Sequence, residues 1–109
     1  MELNAVLENI DASRDDITKV MTEMIGIPAM SPEIGGNGES KRADMLQRCL
    51  VGYDSVQRID VPDEHDPSIK RSNILAKKEG KGKGTVWIVA HMDSLSDKLH
   101  GHLEKFVME

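Results

Sequence analysis

Apolar side chains in the first quarter of the chain recur at helical spacing and form two stripes. The first stripe comprises Leu3, Val6, Leu7 and Ile10, and the second comprises Ile17, Val20, Met21, Met24 and Ile25. Because residues three and four apart share one face of a helix, the pattern predicts helix over residues 2–25 with a buried face. Ser13, followed by Asp16, resembles a capping box between the stripes. One long helix and two short helices both fit this pattern.

A loop and a third helix are expected next. Gly26 and Pro28 end the helical pattern, since the residue before a proline disfavours helical geometry. Residues 29–38 are rich in proline and glycine and predict a loop. Residues 39–50 predict a helix that ends near Gly52. Its inward-facing side chains are expected to be Ala43, Leu46, Cys49 and Leu50.

Three later segments carry strand-like patterns. Residues 55–61 alternate imperfectly but are rich in β-branched side chains, and residues 72–78 form a second apolar segment. Residues 85–90 are nearly all apolar, which is typical of a strand buried on both faces. A glycine–lysine turn at 79–84 predicts an antiparallel hairpin between residues 74–78 and 86–90.

These elements indicate an α/β fold in which N-terminal helices pack on a small mixed sheet with a β-hairpin. We expect a single domain over residues 1–109, which is enough chain for one modest core. Residues 94–109 fit two structures equally well. Their apolar residues would line up on a helix, whereas Gly101 also permits a loop.

Composition narrows the function classes. The net charge of −5 excludes the basic surface that nucleic-acid binding requires. No stretch is long and apolar enough to span a bilayer, and the N-terminus lacks the pattern of a signal peptide. The single cysteine, Cys49, cannot form an internal disulfide, so we expect a cytoplasmic protein. Cys49 is expected in the core rather than as a nucleophile.

The strongest candidate chemistry follows the apolar run at 85–90. His91 and Asp93 stand where the predicted strand ends, and ligands of open α/β sheets collect at that edge. Residues two apart in an extended segment point the same way. His91 could therefore bind a metal, with Asp93 either ligating it or orienting the imidazole. The alternative is a polar strand end in a surface loop.

Other candidates are weaker. His100 and His102 could share a metal in an extended loop but not on a helix, where they diverge by about 200°; two solvent-exposed histidines are the favoured interpretation. Residues 80–85 resemble a phosphate loop, but they lead into a strand and so indicate a hairpin turn. The glycine-rich residues 35–38 precede a helix and could hold an anion, although a flexible entry loop is favoured.

An ordered series of motifs resembles the N-terminal part of the M20 metallopeptidase and amidohydrolase family. The series is Met24-Ile25-Gly26-Ile27-Pro28-Ala29-Met30-Ser31-Pro32, Gly35-Gly36-Asn37-Gly38-Glu39, Ser72-Asn73-Ile74-Leu75-Ala76 and Trp87-Ile88-Val89-Ala90-His91-Met92-Asp93. The group includes acetylornithine deacetylase, succinyl-diaminopimelate desuccinylase, aminoacylase and carboxypeptidase G2. The resemblance implies a partial zinc-aminopeptidase-like (phosphorylase/hydrolase-like) sandwich.

The resemblance also implies a chemistry. His91 would be the first metal ligand of a dizinc centre, and Asp93 would be the catalytic-site carboxylate that orients it. The family reaction is hydrolysis of an amide bond in N-acyl amino acids or dipeptides, with zinc or cobalt as the metal. Whether this chain by itself binds any metal is left open.

The chain also departs from the family pattern. Ser94-Leu95-Ser96 stands where the family usually has V-V-P, and the later ligands, the general-base glutamate and the lid or dimerisation domain have no counterpart. We therefore expect a fragment, truncated after the H-x-D motif, that is inactive by itself. One piece of a split hydrolase and a non-catalytic self-associating module are the alternatives. An exposed sheet edge predicts a homodimer or a higher oligomer.

Overall fold

A computed structural model describes residues 2–94 of the chain. In chain order the elements are α1 (Leu3–Ala12), α2 (Arg14–Ile25), a short 3-10 helix (Pro32–Ile34), α3 (Ser40–Cys49), β1 (Ser55–Pro62) and β2 (Lys70–Lys77). Helices and strands are thus combined in an α/β arrangement, which confirms the predicted class at this level. A helix and a loop were both considered for residues 94–109, and of these residues only Ser94 is described by the structure.

Two short helices, rather than one long helix, form the N-terminal region. Ser13 separates them, and its hydroxyl donates to the Asn9 carbonyl at 2.8 Å instead of capping the N-terminus of α2. The predicted capping box is therefore wrong. No residue of α1 or α2 is buried, and Leu3 is 70% exposed. Of the predicted apolar stripes only Val6, Val20 and Met24 are half-buried, so the predicted buried face is largely exposed.

The buried face of α3 comprises Arg42, Ala43 and Met45, with Leu46 half-buried. Cys49 is exposed, so its prediction as a core residue is wrong. Arg42 lies one residue before Ala43 and four before Leu46, and it makes hydrogen bonds on this inner side. Its guanidinium therefore occupies the side of the helix that an apolar pattern assigns to hydrophobic residues.

A β-hairpin of β1 and β2 forms the sheet. The strands pair antiparallel along their whole length, from Ser55 opposite Lys77 to Pro62 opposite Lys70. The Asp63 carboxylate closes the connecting loop by accepting the backbone N–H groups of His65 and Asp66, each at 3.0 Å. Both predicted strands are confirmed to within two residues at each end. The predicted pairing of residues 74–78 with 86–90 is wrong, since β2 pairs with β1.

Residues 85–90 are not a strand. Val86, Trp87, Ile88 and Val89 are 71–91% exposed, so the predicted strand buried on both faces is wrong. A strand persists only where neighbouring strands take up its backbone hydrogen bonds, and no described residue pairs with this segment. Within residues 2–94 the sheet is accordingly two-stranded and antiparallel, not mixed.

Polar groups fill much of the interface between α3 and the hairpin. The Glu39 carboxylate accepts the Ser72 backbone N–H at 3.0 Å and the Arg71 Nε–H at 3.2 Å. Arg71 also donates to Asp63 at 3.2 Å. Arg58 of β1 reaches the Ser40 carbonyl on α3 at 3.2 Å. The hairpin is therefore attached to α3 by charged hydrogen bonds, which are stronger than neutral ones.

Candidate functional site

Residues 91–94 are attached to the loop that follows α2. The Ser94 backbone N–H donates to the Ala29 carbonyl at 2.8 Å, and Met30 and Ser94 form an isolated parallel bridge. Ala29 itself is fully buried. The end of the H-x-D motif therefore contacts residues 29 and 30 of the loop that follows α2, although the described residues before the motif form no strand.

Arg42 of α3 joins these two segments. Its Nη1 donates to the Met92 carbonyl at 2.6 Å and to the Ser94 hydroxyl at 2.7 Å, and its Nη2 donates to the Ile27 carbonyl at 2.6 Å. The side chain is buried, and its Nε has no hydrogen-bond partner among the described residues. Burial lowers the pKa of the Arg42 guanidinium, and the nearby Asp93 carboxylate acts in the opposite direction.

His91 and Asp93 contact each other directly. The His91 Nδ1 lies 3.0 Å from the Asp93 backbone oxygen and 3.1 Å from its Oδ1. Both of these oxygens are acceptors, so Nδ1 must carry the proton. In the neutral ring the lone pair then lies on Nε2, which is the form that a metal-binding histidine presents. The predicted orienting role of Asp93 is compatible with this geometry.

The two side chains differ in their exposure. The His91 side chain is 83% exposed and that of Asp93 is 38% exposed. The Nε2 atom makes no hydrogen bond within residues 2–94, so it is accessible to a ligand from solvent. An exposed imidazole oriented by a carboxylate can bind a metal ion or exchange a proton with a molecule that approaches this face.

A complete metal centre is not assembled by the described residues. No group of three or more His, Cys, Asp or Glu side chains within residues 2–94 is arranged to hold a metal ion. His100 and His102 lie outside the described residues. A surface depression of about 280 Å³ lies between α1 and α2 and is lined by Ile10, Asp11, Arg14, Ile17 and Thr18. It includes neither residue of the candidate site.

The glycine-rich loop at 35–38 uses its backbone donors internally. The Gly38 N–H donates to the Met30 carbonyl at 2.9 Å, and the Gly36 N–H donates to the Ser31 carbonyl at 3.0 Å. These two amides are therefore not available to an anion. A side chain on Gly36 would collide with Met30. Residues 80–84 are exposed, and no strand follows them, so the predicted hairpin turn there is wrong.

Arg42 is the site residue that the sequence pattern did not single out. It lies four residues before Leu46, on the side of α3 expected to face inward. A charged residue at an inward position is a signal that it has partners, because an unpaired buried charge is costly. The identity of those partners, two carbonyls and a hydroxyl from distant segments, depends on the tertiary fold.

No protein-family model, curated protein or solved structure matches this chain. The similarity to the M20 family therefore stays a prediction drawn from its ordered motifs. Among the residues that the structure describes, no helix has both the length and the apolar character needed to cross a membrane.

Proposed function

We propose that this chain supplies the first metal-binding position of a zinc-dependent amidohydrolase of the M20 type. His91 would bind the metal through Nε2, and Asp93 would hold the ring. The observation that carries the proposal is the contact of His91 Nδ1 with two acceptor oxygens of Asp93, at 3.0 and 3.1 Å. That contact favours the tautomer with the proton on Nδ1, in which the lone pair of Nε2 is available to a ligand.

The donor set fits one ligand of such a centre. An imidazole nitrogen suits zinc and cobalt, but a catalytic zinc usually has three protein ligands. When bound, the metal would activate water and polarise the carbonyl of an N-acyl amino acid or a dipeptide. With only His91 and Asp93 at this position, the chain by itself is proposed to be inactive.

The exposed segment at 85–90 supports a place within a larger catalytic domain. Four consecutive apolar side chains, Val86 to Val89, are at least 71% exposed. Such a run is typical of an internal strand with neighbours on both edges. We propose that the segment becomes a strand of a zinc-aminopeptidase-like sandwich when further strands, from the same or another polypeptide, pair with it.

Self-association is the second candidate. The same apolar segment and the unpaired edges of the hairpin offer backbone groups to another copy of the chain. A homodimer or higher oligomer would then form by strand pairing across copies. Because Cys49 is an exposed free thiol, we place the protein in a reducing compartment, the cytoplasm.

Zinc titration of the ¹⁵N-labelled 109-residue chain, followed through the imidazole nitrogen resonances, tests the ligand assignment. We expect added zinc to shift the His91 Nε2 resonance more than its Nδ1 resonance, because Nδ1 is occupied by Asp93. His91→Ala should abolish this response. His65→Ala, in the exposed loop between β1 and β2, is the matched control and should preserve it.

A His91 resonance that does not respond to zinc would reject the ligand assignment. The inactivity is tested separately, with N-acetyl and N-succinyl amino acids and dipeptides in the presence of zinc or cobalt. Metal-dependent hydrolysis by the purified chain that disappears in His91→Ala would contradict the proposal that the chain is inactive alone. Sedimentation velocity over a range of concentrations separates the monomer from the self-associated form.

A further inference from the structure

We propose that Arg42 is a positioning residue that sets the tautomer of His91 by fixing the backbone of residues 92–94. This inference rests on the proposed function in one respect, that Nε2 is presented to a metal. The effect of Arg42 on the tautomer follows from its contacts and can be tested without any metal.

The contacts of Arg42 lie on both sides of Asp93. Its Nη1 binds the carbonyl of Met92, one residue before Asp93, and the hydroxyl of Ser94, one residue after it. The guanidinium thus holds the two flanking residues at 2.6 and 2.7 Å. Asp93 is left with its backbone oxygen and its carboxylate turned towards His91 Nδ1.

The other end of the same guanidinium is anchored in the fold. Its Nη2 binds the Ile27 carbonyl at 2.6 Å, next to the loop whose Ala29 carbonyl accepts the Ser94 N–H. Arg42 and the Ala29–Ser94 hydrogen bond therefore join the H-x-D segment to the loop at two separate points. A change at Arg42 is expected to be transmitted to Asp93 because both of its flanking residues would lose a fixed partner.

The shape of the side chain matters as much as its charge. A planar guanidinium donates in several fixed directions, so one residue can bind Ile27, Met92 and Ser94 together. A lysine ammonium has the same charge but is a compact point donor and cannot span the same acceptors. Within residues 2–94 the Arg42 Nε has no hydrogen-bond partner, so Nη1 and Nη2 make all the described hydrogen bonds of this side chain.

The test measures the tautomer of His91 by imidazole ¹⁵N chemical shifts at a pH where the ring is neutral, without metal. In the unchanged chain we expect the form protonated at Nδ1 to dominate. In Arg42→Lys we expect the ratio of the Nδ1–H form to the Nε2–H form to fall roughly tenfold, the worth of one hydrogen bond to a charged group. Arg48→Lys, an exposed position on the same helix, should leave the ratio unchanged.

Backbone resonances of β1 and β2 report whether the variant is folded. A folded Arg42→Lys chain with an unchanged ratio would overturn the proposal and leave Arg42 a purely structural residue. If Arg42→Lys unfolds, Ser94→Ala decides, because it removes one acceptor of Arg42 and keeps the guanidinium. A lowered ratio in Ser94→Ala then supports the positioning role, and an unchanged ratio rejects it.

The zinc titration separates this inference from the proposed function. A tautomer ratio that depends on Arg42 in a chain whose His91 does not respond to zinc would support the positioning role and reject the metal-binding role. A zinc response at His91 together with a tautomer ratio that does not depend on Arg42 would support the metal-binding role and reject the positioning role.

Discussion

The sequence predicts a strand both for β2 and for the segment at 85–90, but only β2 forms one. Four of the six residues at 85–90 are β-branched, whereas Ile74 is the single β-branched residue of β2. Every residue of β2 pairs with β1, and Ile74 is half-buried beneath α3, whereas Ile88 is 91% exposed and has no pairing partner among residues 2–94. β propensity therefore describes a side chain that is suited to a pleated surface, and neighbouring strands must supply that surface.

The two regions also differ in how they are attached to the helices. Glu39 and Arg71 join β2 to the start of α3 through charged hydrogen bonds. Within residues 2–94 the segment at 85–90 makes no hydrogen bond to α3, and the attachment to α3 lies beyond its end, where Arg42 binds Met92 and Ser94. Polar contacts can therefore hold a short sheet in place with little apolar burial, provided that each charged group has a partner.

Loss of the Glu39 carboxylate is expected to lower the unfolding free energy more than any other substitution considered below. Glu39→Ala leaves the Ser72 N–H without its buried acceptor and removes one of the two carboxylates that pair with Arg71. Removing one partner of a buried ion pair costs about 3 kcal/mol of unfolding free energy. Urea denaturation followed by circular dichroism measures this loss.

Glu79→Ala is the matched control for that experiment. Glu79 pairs with Lys77 at 3.0 Å, but both side chains are more than 60% exposed. Its removal should change the unfolding free energy by less than about 0.5 kcal/mol. Equal effects of the two substitutions would show that the contacts of Glu39 do not stabilise the hairpin.

The same substitution placed in both regions tests the comparison directly. Ile74→Ser removes a half-buried side chain between the hairpin and α3 and should cost about 1–2 kcal/mol. Ile88→Ser should leave the unfolding free energy of the monomer nearly unchanged, because the side chain is already in contact with water. Denaturant midpoints at low protein concentration provide the measurement.

A large loss of stability in Ile88→Ser at low concentration would mean that the segment is packed within the monomer. If the segment instead mediates self-association, Ile88→Ser should lower the oligomer fraction seen by sedimentation, and Ile74→Ser should not do so while the chain remains folded.

The loss of folding stability in acid is expected to come from carboxylates of the hairpin formed by β1 and β2. Burial acts to raise the pKa of Asp63, but the N–H groups of Asp66 and His65 and the Arg71 guanidinium outweigh it and lower the pKa below 3.8. The pKa of Asp60 is lowered as well, by hydrogen bonds from Ser72 and Arg58. The folded state therefore binds fewer protons than the unfolded chain near this pH.

The sign of the pH dependence follows from that difference. The stabilisation is fully present above the unfolded pKa of about 3.9 and is lost as the pH falls through the lower pKa of the folded state. Thermal unfolding between pH 5 and pH 2.5 should show this loss, with a shallower slope in Asp63→Asn. Asp15→Asn, on the exposed surface of α2, is the control and should keep the original slope.

Local patterns in the sequence predict the elements that are stabilised by near neighbours. Helix over residues 2–25, helix α3 and the two strands of the hairpin follow from local patterns, and their ends lie within a few positions of those expected. The pattern left open whether the first region is one helix or two. The contact between His91 and Asp93 also involves near neighbours, since the two residues are two positions apart. Each of these features depends on contacts close in sequence or on backbone geometry.

Long-range contacts account for the failures. The apolar run at 85–90 forms a buried strand only where neighbouring strands pair with it. Periodicity along the chain contains no information about such strands. Arg42 was missed because its acceptors, Ile27 and Met92, lie 15 and 50 residues away. The inward prediction for Cys49 is wrong although it shares a helix face with Arg42, because it is the last residue of α3 and is exposed there.

Two adjacent glycines in the loop before α3 differ in the substitutions that they tolerate. Gly35 has a φ of 86° and no atom close to the position of a side chain, so asparagine, which tolerates left-handed backbone geometry, should replace it at little cost. At Gly36 any Cβ meets the backbone of Met30, which no choice of residue can avoid. A saturation library should therefore recover asparagine at Gly35 and glycine alone at Gly36.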